Sequence, residues 1–167
     1  CGTLEGVQAM VIYMLIYMGM TITTFSVIMS IRTPEDKPVE SVHQLAQLGQ
    51  YNPLLAMTLS LTMFSMAGIP PLAGFCSKFY LFFAALSSSL YPLAIVGVLS
   101  SVVSCFYYIR FIKVMYFDTT ENPLVFEGLD AAKAWLLAIT LGVTVLLATY
   151  PTPIFLLAQK LALSFCL

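Results

Sequence analysis

Charged residues are so sparse that they cut this chain into long apolar runs. The first run covers residues 6–31, which is 26 residues between Glu5 and Arg32. About 20 apolar residues cross a bilayer as a helix, so this run predicts a transmembrane span. Its Gly19, Thr21, Thr23 and Thr24 fit that reading, because small residues let membrane helices approach closely. A polar segment, 32–52, comes next. Its core TPEDKP holds two prolines and three charges and predicts an exposed loop, then a short helical or irregular stretch to Gly49. His43 lies in this segment, either as a solvated loop residue or as a group with a proton-relay or quinone role.

The second apolar region, 53–90, carries one charge, Lys78. As a single helix its 38 residues would extend about 57 Å, against a hydrocarbon core of about 30 Å. The sequence Gly68-Ile69-Pro70-Pro71 breaks it. Two prolines remove two amide donors, and the ring of Pro70 disfavours helix at Ile69. The region therefore predicts one helix over 54–69 and another over 72–88, with Gly74 in the first turn of the second. Two arrangements fit, a hairpin or a single discontinuous helix.

A third run, 91–117, is uncharged until Arg110 and Lys113, which sit in FYYIRFIKVMYF. Aromatic and basic residues together mark a membrane boundary, and both cations are expected to snorkel to the headgroups. An acidic loop, 118–133, and a span over 134–150 follow, stopped by Pro151 and Pro153. The tail, 154–167, carries only Lys160; it reads as an interfacial helix or an extension of the span.

Composition then fixes the solvent. The chain is 60% hydrophobic and 9% charged, with mean hydropathy +0.94, whereas soluble domains carry about 25% charge. So few charges cannot cover a globular surface, and the surface must face lipid. The expected fold class is all-α: a polytopic membrane helix bundle forming one membrane domain over residues 1–167, with four or five crossings. A net charge of −1 without a basic stripe gives no reason to expect a nucleic-acid partner. The four cysteines, at 1, 76, 105 and 166, show no C-x-x-C spacing, and there is one histidine, so no metal or iron–sulfur site is expected. A chain opening on Cys1 is expected to be a piece of a longer protein: separately encoded, processed, or the ordered part of a larger whole.

Lys78 is the residue that needs a reason. A lysine at the centre of a membrane helix costs roughly 2.5–3.5 kcal/mol on insertion scales. Gly74 and Phe82 lie one turn away on either side, so no acid shares its helix face. One reading places Lys78 near an interface or pairs it with another subunit. The other makes it a protonatable site in a buried polar channel, where a lysine can load and release a proton. The helix break supplies free backbone carbonyls that need water or polar partners, and broken helices are where transporters build ion sites.

The run TMFSMAGIPPLAGFCSKFYLFFAAL resembles the C-terminal part of the subunit 2 family of mitochondrial NADH:ubiquinone oxidoreductase, respiratory complex I, in its plant and algal versions. GTLEGVQ, YNPLLAMTLS, VVSCFYYIRFIKVMYFDT and YPTPIF agree in order, so the resemblance covers nearly the whole chain. The shorter G-I-P-P-L-A-G-F-x-x-K element is shared with related antiporter-like subunits and is less specific. The resemblance implies an antiporter-like bundle with a discontinuous helix, and it maps the family's C-terminal proton-path lysine onto Lys78. It also implies a location in the mitochondrial inner membrane and the other membrane-arm subunits as partners. Flavin and iron–sulfur clusters would belong to other subunits, leaving no cofactor and no redox chemistry in this chain. Tyr107 and Tyr108 would lie near the membrane boundary without a catalytic role. Family members are much longer, with an N-terminal repeat carrying its own glutamate and lysine; a second polypeptide is expected to supply those helices here. Two rival readings are a structural membrane-arm fragment without its own proton path, and a subunit of a cation/proton antiporter.

Overall fold

The computed structural model describes residues 3–31, 41–70, 72–119, 135, 138–139, 141–142 and 152–166. The loop core at 33–38, Pro71, nearly all of the acidic loop 118–133 and most of the expected span 134–150 lie outside the described residues. Among the described residues all regular structure is helical. In chain order the elements are α1 (Leu4–Met29), a 3-10 turn (Val42–Leu45), α2 (Leu48–Tyr51), α3 (Pro53–Ala67), α4 (Ala73–Ser87), α5 (Tyr91–Phe117) and α6 (Thr152–Cys166).

Local chemistry sets these boundaries. Thr3 caps α1 by accepting a hydrogen bond from the Gly6 amide, a role hydroxyls perform at helix starts. Asn52 does the same for α3 through the Leu55 amide, with Pro53 at the first helical position, where a missing donor is harmless. Hydroxyls inside the apolar helices are satisfied by their own backbone. Thr23 donates to the Gly19 carbonyl, Thr24 to Met20 and Ser60 to Ala56, so they can be buried at little cost.

Helices α1 and α5 are long and apolar enough to cross a membrane. Each of α3 and α4 has 15 residues, about 22 Å of helix, too short for a core of about 30 Å. Their packing shows how they combine. Leu55, Leu59 and Met63 of α3 share a buried cluster with Val27 near the end of α1 and with Ile112 and Met115 near the end of α5. Phe82 of α4 instead meets Gly97, near the start of α5. Tyr80, Phe83 and Ala84 line a cleft with Glu5, Ala9 and Ile12 at the start of α1. A hairpin would bring Phe82 and Ala84 back to the level of Leu55. They lie at the opposite ends of the flanking helices, so α3 and α4 follow one another end to end as one discontinuous helix between α1 and α5. Helix α6 packs along α1, and its Ala158 joins Ile12, Ile16 and Met20 of α1, Met66 of α3 and Ala73 of α4 in a second buried cluster.

Candidate functional site: a lysine at a helix break

The break is built from both sides. The C-terminus of α3 ends on Gly68, whose φ of 88° is left-handed, a conformation that costs residues with a side chain roughly 1–2 kcal/mol. The Gly68 amide donates to the carbonyls of Phe64 and Ser65, and the Ile69 amide to Phe64, which closes part of the last turn. Leu72, before α4, offers no capping side chain. Ser65 substitutes from nine residues upstream: its Oγ accepts from the Gly74 amide at 3.1 Å. That bond brings the first turn of α4 against the last turn of α3, and only a glycine fits at the contact, because a Cβ on Gly74 would strike the Ser65 carbonyl.

Lys78 completes this joint. One turn beyond Gly74, its Nζ donates to the Met66 carbonyl at 2.7 Å and to Ser101 Oγ of α5 at 3.0 Å. The Met66 carbonyl belongs to the last turn of α3, whose carbonyls lack helical partners and carry the negative end of the helix dipole. An ammonium there is favoured by about 0.3–1 kcal/mol at exposed sites and up to ~2 kcal/mol where partly buried. The break thus supplies the lysine with an acceptor, and the lysine supplies the break with a donor. Both of these partners are uncharged.

A cleft of about 270 Å³ opens beside Lys78 between α1, α4 and α5. Tyr13 and Tyr17 of α1, stacked at 5.8 Å, form one wall. Ser100, Ser101, Ser104 and Tyr108 of α5 form another. The Gly97, Ser101, Ser104, Tyr108 series follows i+3 and i+4 spacing, which places them along one helix face. Thr21 of the first span is satisfied within α1, by the Tyr17 carbonyl, and does not line the cleft.

The other expected site residues fall as follows. Gly68, Pro70 and Gly74 are at the break, with Pro70 exposed; Pro71 lies outside the described residues. Arg110 and Lys113 are exposed in the last turns of α5. Arg110 shares a second cleft with His43 and Tyr107. Tyr107 is 63% exposed, whereas Tyr108 points inward and borders both clefts. Sequence reasoning missed Ser65 and Ser101, the two hydroxyls that hold the joint and the lysine. Ser101 was legible in the hydroxyl spacing along α5; Ser65 was not, because its partner is a backbone amide across the break. Among the described residues no three His, Cys, Asp or Glu side chains converge as a metal site would require, and Cys76 and Cys105 are free thiols.

A bundle of apolar helices built around a discontinuous helix defines an antiporter-like class of membrane protein. The profile of the family described as NADH:quinone oxidoreductase/Mrp antiporter, transmembrane region, matches residues 1–104, and the chain belongs to that family. It is 50% identical over 167 residues to NADH-ubiquinone oxidoreductase chain 2 of Marchantia polymorpha, covering 100% of this chain and 34% of that protein. The Arabidopsis thaliana protein of the same description is 48% identical over 100% of this chain and 33% of its own length. The chain therefore spans about a third of the curated relatives it matches. Among solved structures, respiratory complex I from Thermus thermophilus with bound aureothin contains a chain that superposes with a TM-score of 0.74 at 26% identity, over 89% of this chain and 34% of that one. A chain of the Mrp complex from Dietzia sp. DQ12-45-1b gives a TM-score of 0.77 at 20% identity, over 96% of this chain and 38% of that one, a likeness of fold alone.

Proposed function

We propose that this chain is the C-terminal part of subunit 2 of a mitochondrial NADH:ubiquinone oxidoreductase, crossing the inner membrane several times and taking part in proton translocation. The observation that carries the reading is Lys78, held by a carbonyl at a helix break and a hydroxyl across a polar cleft. Electron transfer from NADH to ubiquinone takes place in other subunits, which hold the flavin and iron–sulfur clusters. Changes in field and hydration along the membrane arm then alter water access to Lys78, which alternates between ammonium and amine. Uncharged partners suit that task, because they stabilise the cation without the fixed counter-charge of a carboxylate that would hold it permanently ionised. The remaining membrane-arm subunits and lipid cover the apolar outer face of α5.

Native purification of the complex carrying this chain, with mass spectrometry of its subunits, tests the assignment. The expected result is co-purification with NADH dehydrogenase subunits. The family description, which takes in Mrp antiporters, supports a second reading, a cation/proton antiporter subunit. Purification with antiporter subunits and no NADH dehydrogenase subunit would favour it.

A further inference from the structure

Tyr108 occupies a position that the lysine alone does not explain. It packs against both buried clusters of the bundle. It also lines both the Lys78 cleft and a second cleft, of about 470 Å³, that reaches His43 and Arg110. It shares the Lys78 cleft with Tyr13 and Tyr17 of α1. His43 is exposed, and an imidazole can both donate and accept hydrogen bonds.

We infer that Tyr108 is the relay residue joining the Lys78 cleft to the His43 cleft, so that the proton of Lys78 exchanges with the aqueous side through Ser104, Tyr108 and His43. The inference rests on the assignment of Lys78 as a protonatable site. Ser101, which touches the lysine, and Tyr108 are seven residues apart, about 10 Å along α5. Ser104 lies between them on the same face, and the cleft has room for several waters at about 30 Å³ each. The step is a chain of hops. The Lys78 ammonium gives a proton to a water held by Ser104, and that water passes a proton to the Tyr108 oxygen. Tyr108 releases its own hydroxyl proton toward His43. One proton moves, Lys78 is left as the amine, the imidazole becomes imidazolium, and the phenol is regenerated by rotation. A phenol can do this because it both donates and accepts.

The test uses the intact complex in proteoliposomes and measures protons translocated per NADH oxidised, alongside NADH oxidation with the gradient collapsed. Tyr108→Phe keeps the ring in both clusters and removes the hydroxyl. It is expected to lower the proton ratio by the same fraction as Lys78→Met, with the double variant no worse than either. Tyr91→Phe, at an exposed tyrosine of α5 outside both clefts, is expected to leave the ratio unchanged. A normal ratio in Tyr108→Phe together with a lowered ratio in Lys78→Met would overturn the relay and leave the role of Lys78 standing. Normal ratios in both would overturn both. If Tyr108→Phe fails to assemble, Ser104→Ala and His43→Gln decide: lowered ratios support the route, and normal ratios refute it.

Discussion

Replacing Gly74 with alanine tests the joint on which the site depends. The added Cβ would meet the Ser65 carbonyl, with the carbonyl carbon at 2.7 Å. Carbon atoms in contact prefer about 3.5–4.0 Å, so α4 must retreat by roughly 1 Å. That movement takes the Gly74 amide, now 3.1 Å from Ser65 Oγ, out of hydrogen-bond range. Overpacking of this kind costs about 1–3 kcal/mol, and the lost hydrogen bond adds about 1 kcal/mol. The joint should therefore be weakened by about 2–4 kcal/mol, roughly 30- to 1,000-fold in the equilibrium between closed and opened forms. Hydrogen exchange of the amides around Gly74 in the isolated complex reads this directly, and proton translocation should fall as well, because Lys78 moves with α4. Gly19→Ala is the control: nothing lies within 4 Å of its added Cβ, and no loss is expected. Wild-type exchange rates in Gly74→Ala would show that the close approach of α3 and α4 is not what orders the break.

Two further variants probe neighbouring parts of the site. Gly68→Ala must hold an L-residue at φ 88° and should destabilise the break by about 1–2 kcal/mol, measured as a lower midpoint for thermal unfolding of the complex. Gly68→Asn should lose less, since asparagine tolerates that conformation. Ser101→Ala removes one of two acceptors for Lys78, a bond to a charged group worth about 1.5–3 kcal/mol. It should reduce protons pumped per NADH by less than Lys78→Ala does, with assembly unchanged and Ser101→Thr restoring the ratio.

Much of this architecture was legible in the sequence. Apolar runs bounded by charge, and the Gly68-Ile69-Pro70 interruption, mark helices because lipid forbids unpaired backbone and proline cannot donate. The α4 helix, for instance, starts at Ala73, one residue later than the pattern indicates. Lys78 stood out because a charge is costly in lipid. The choice between a hairpin and a discontinuous helix was illegible in the apolar pattern, although the family resemblance pointed to the latter. It depends on which ends of α1 and α5 receive Leu55 and Phe82, and periodicity carries no information about that. The Met66 carbonyl that accepts from Lys78 was hidden for a similar reason, being a backbone group twelve residues away, whereas Ser101, 23 residues away, shows in the hydroxyl spacing of α5 but not as the partner of the lysine. Tyr108 read as a boundary residue like Tyr107, yet the two project to different sides of α5, one inward and one outward.

The proposed function turns on Lys78, at the break between α3 and α4, as the group that carries the proton. The most direct measurement is the number of protons translocated per NADH by the assembled complex bearing Lys78→Ala. Normal assembly with a lowered ratio is expected. An assembled complex with the wild-type ratio would contradict it, and would leave Lys78 as a structural cap on the end of α3.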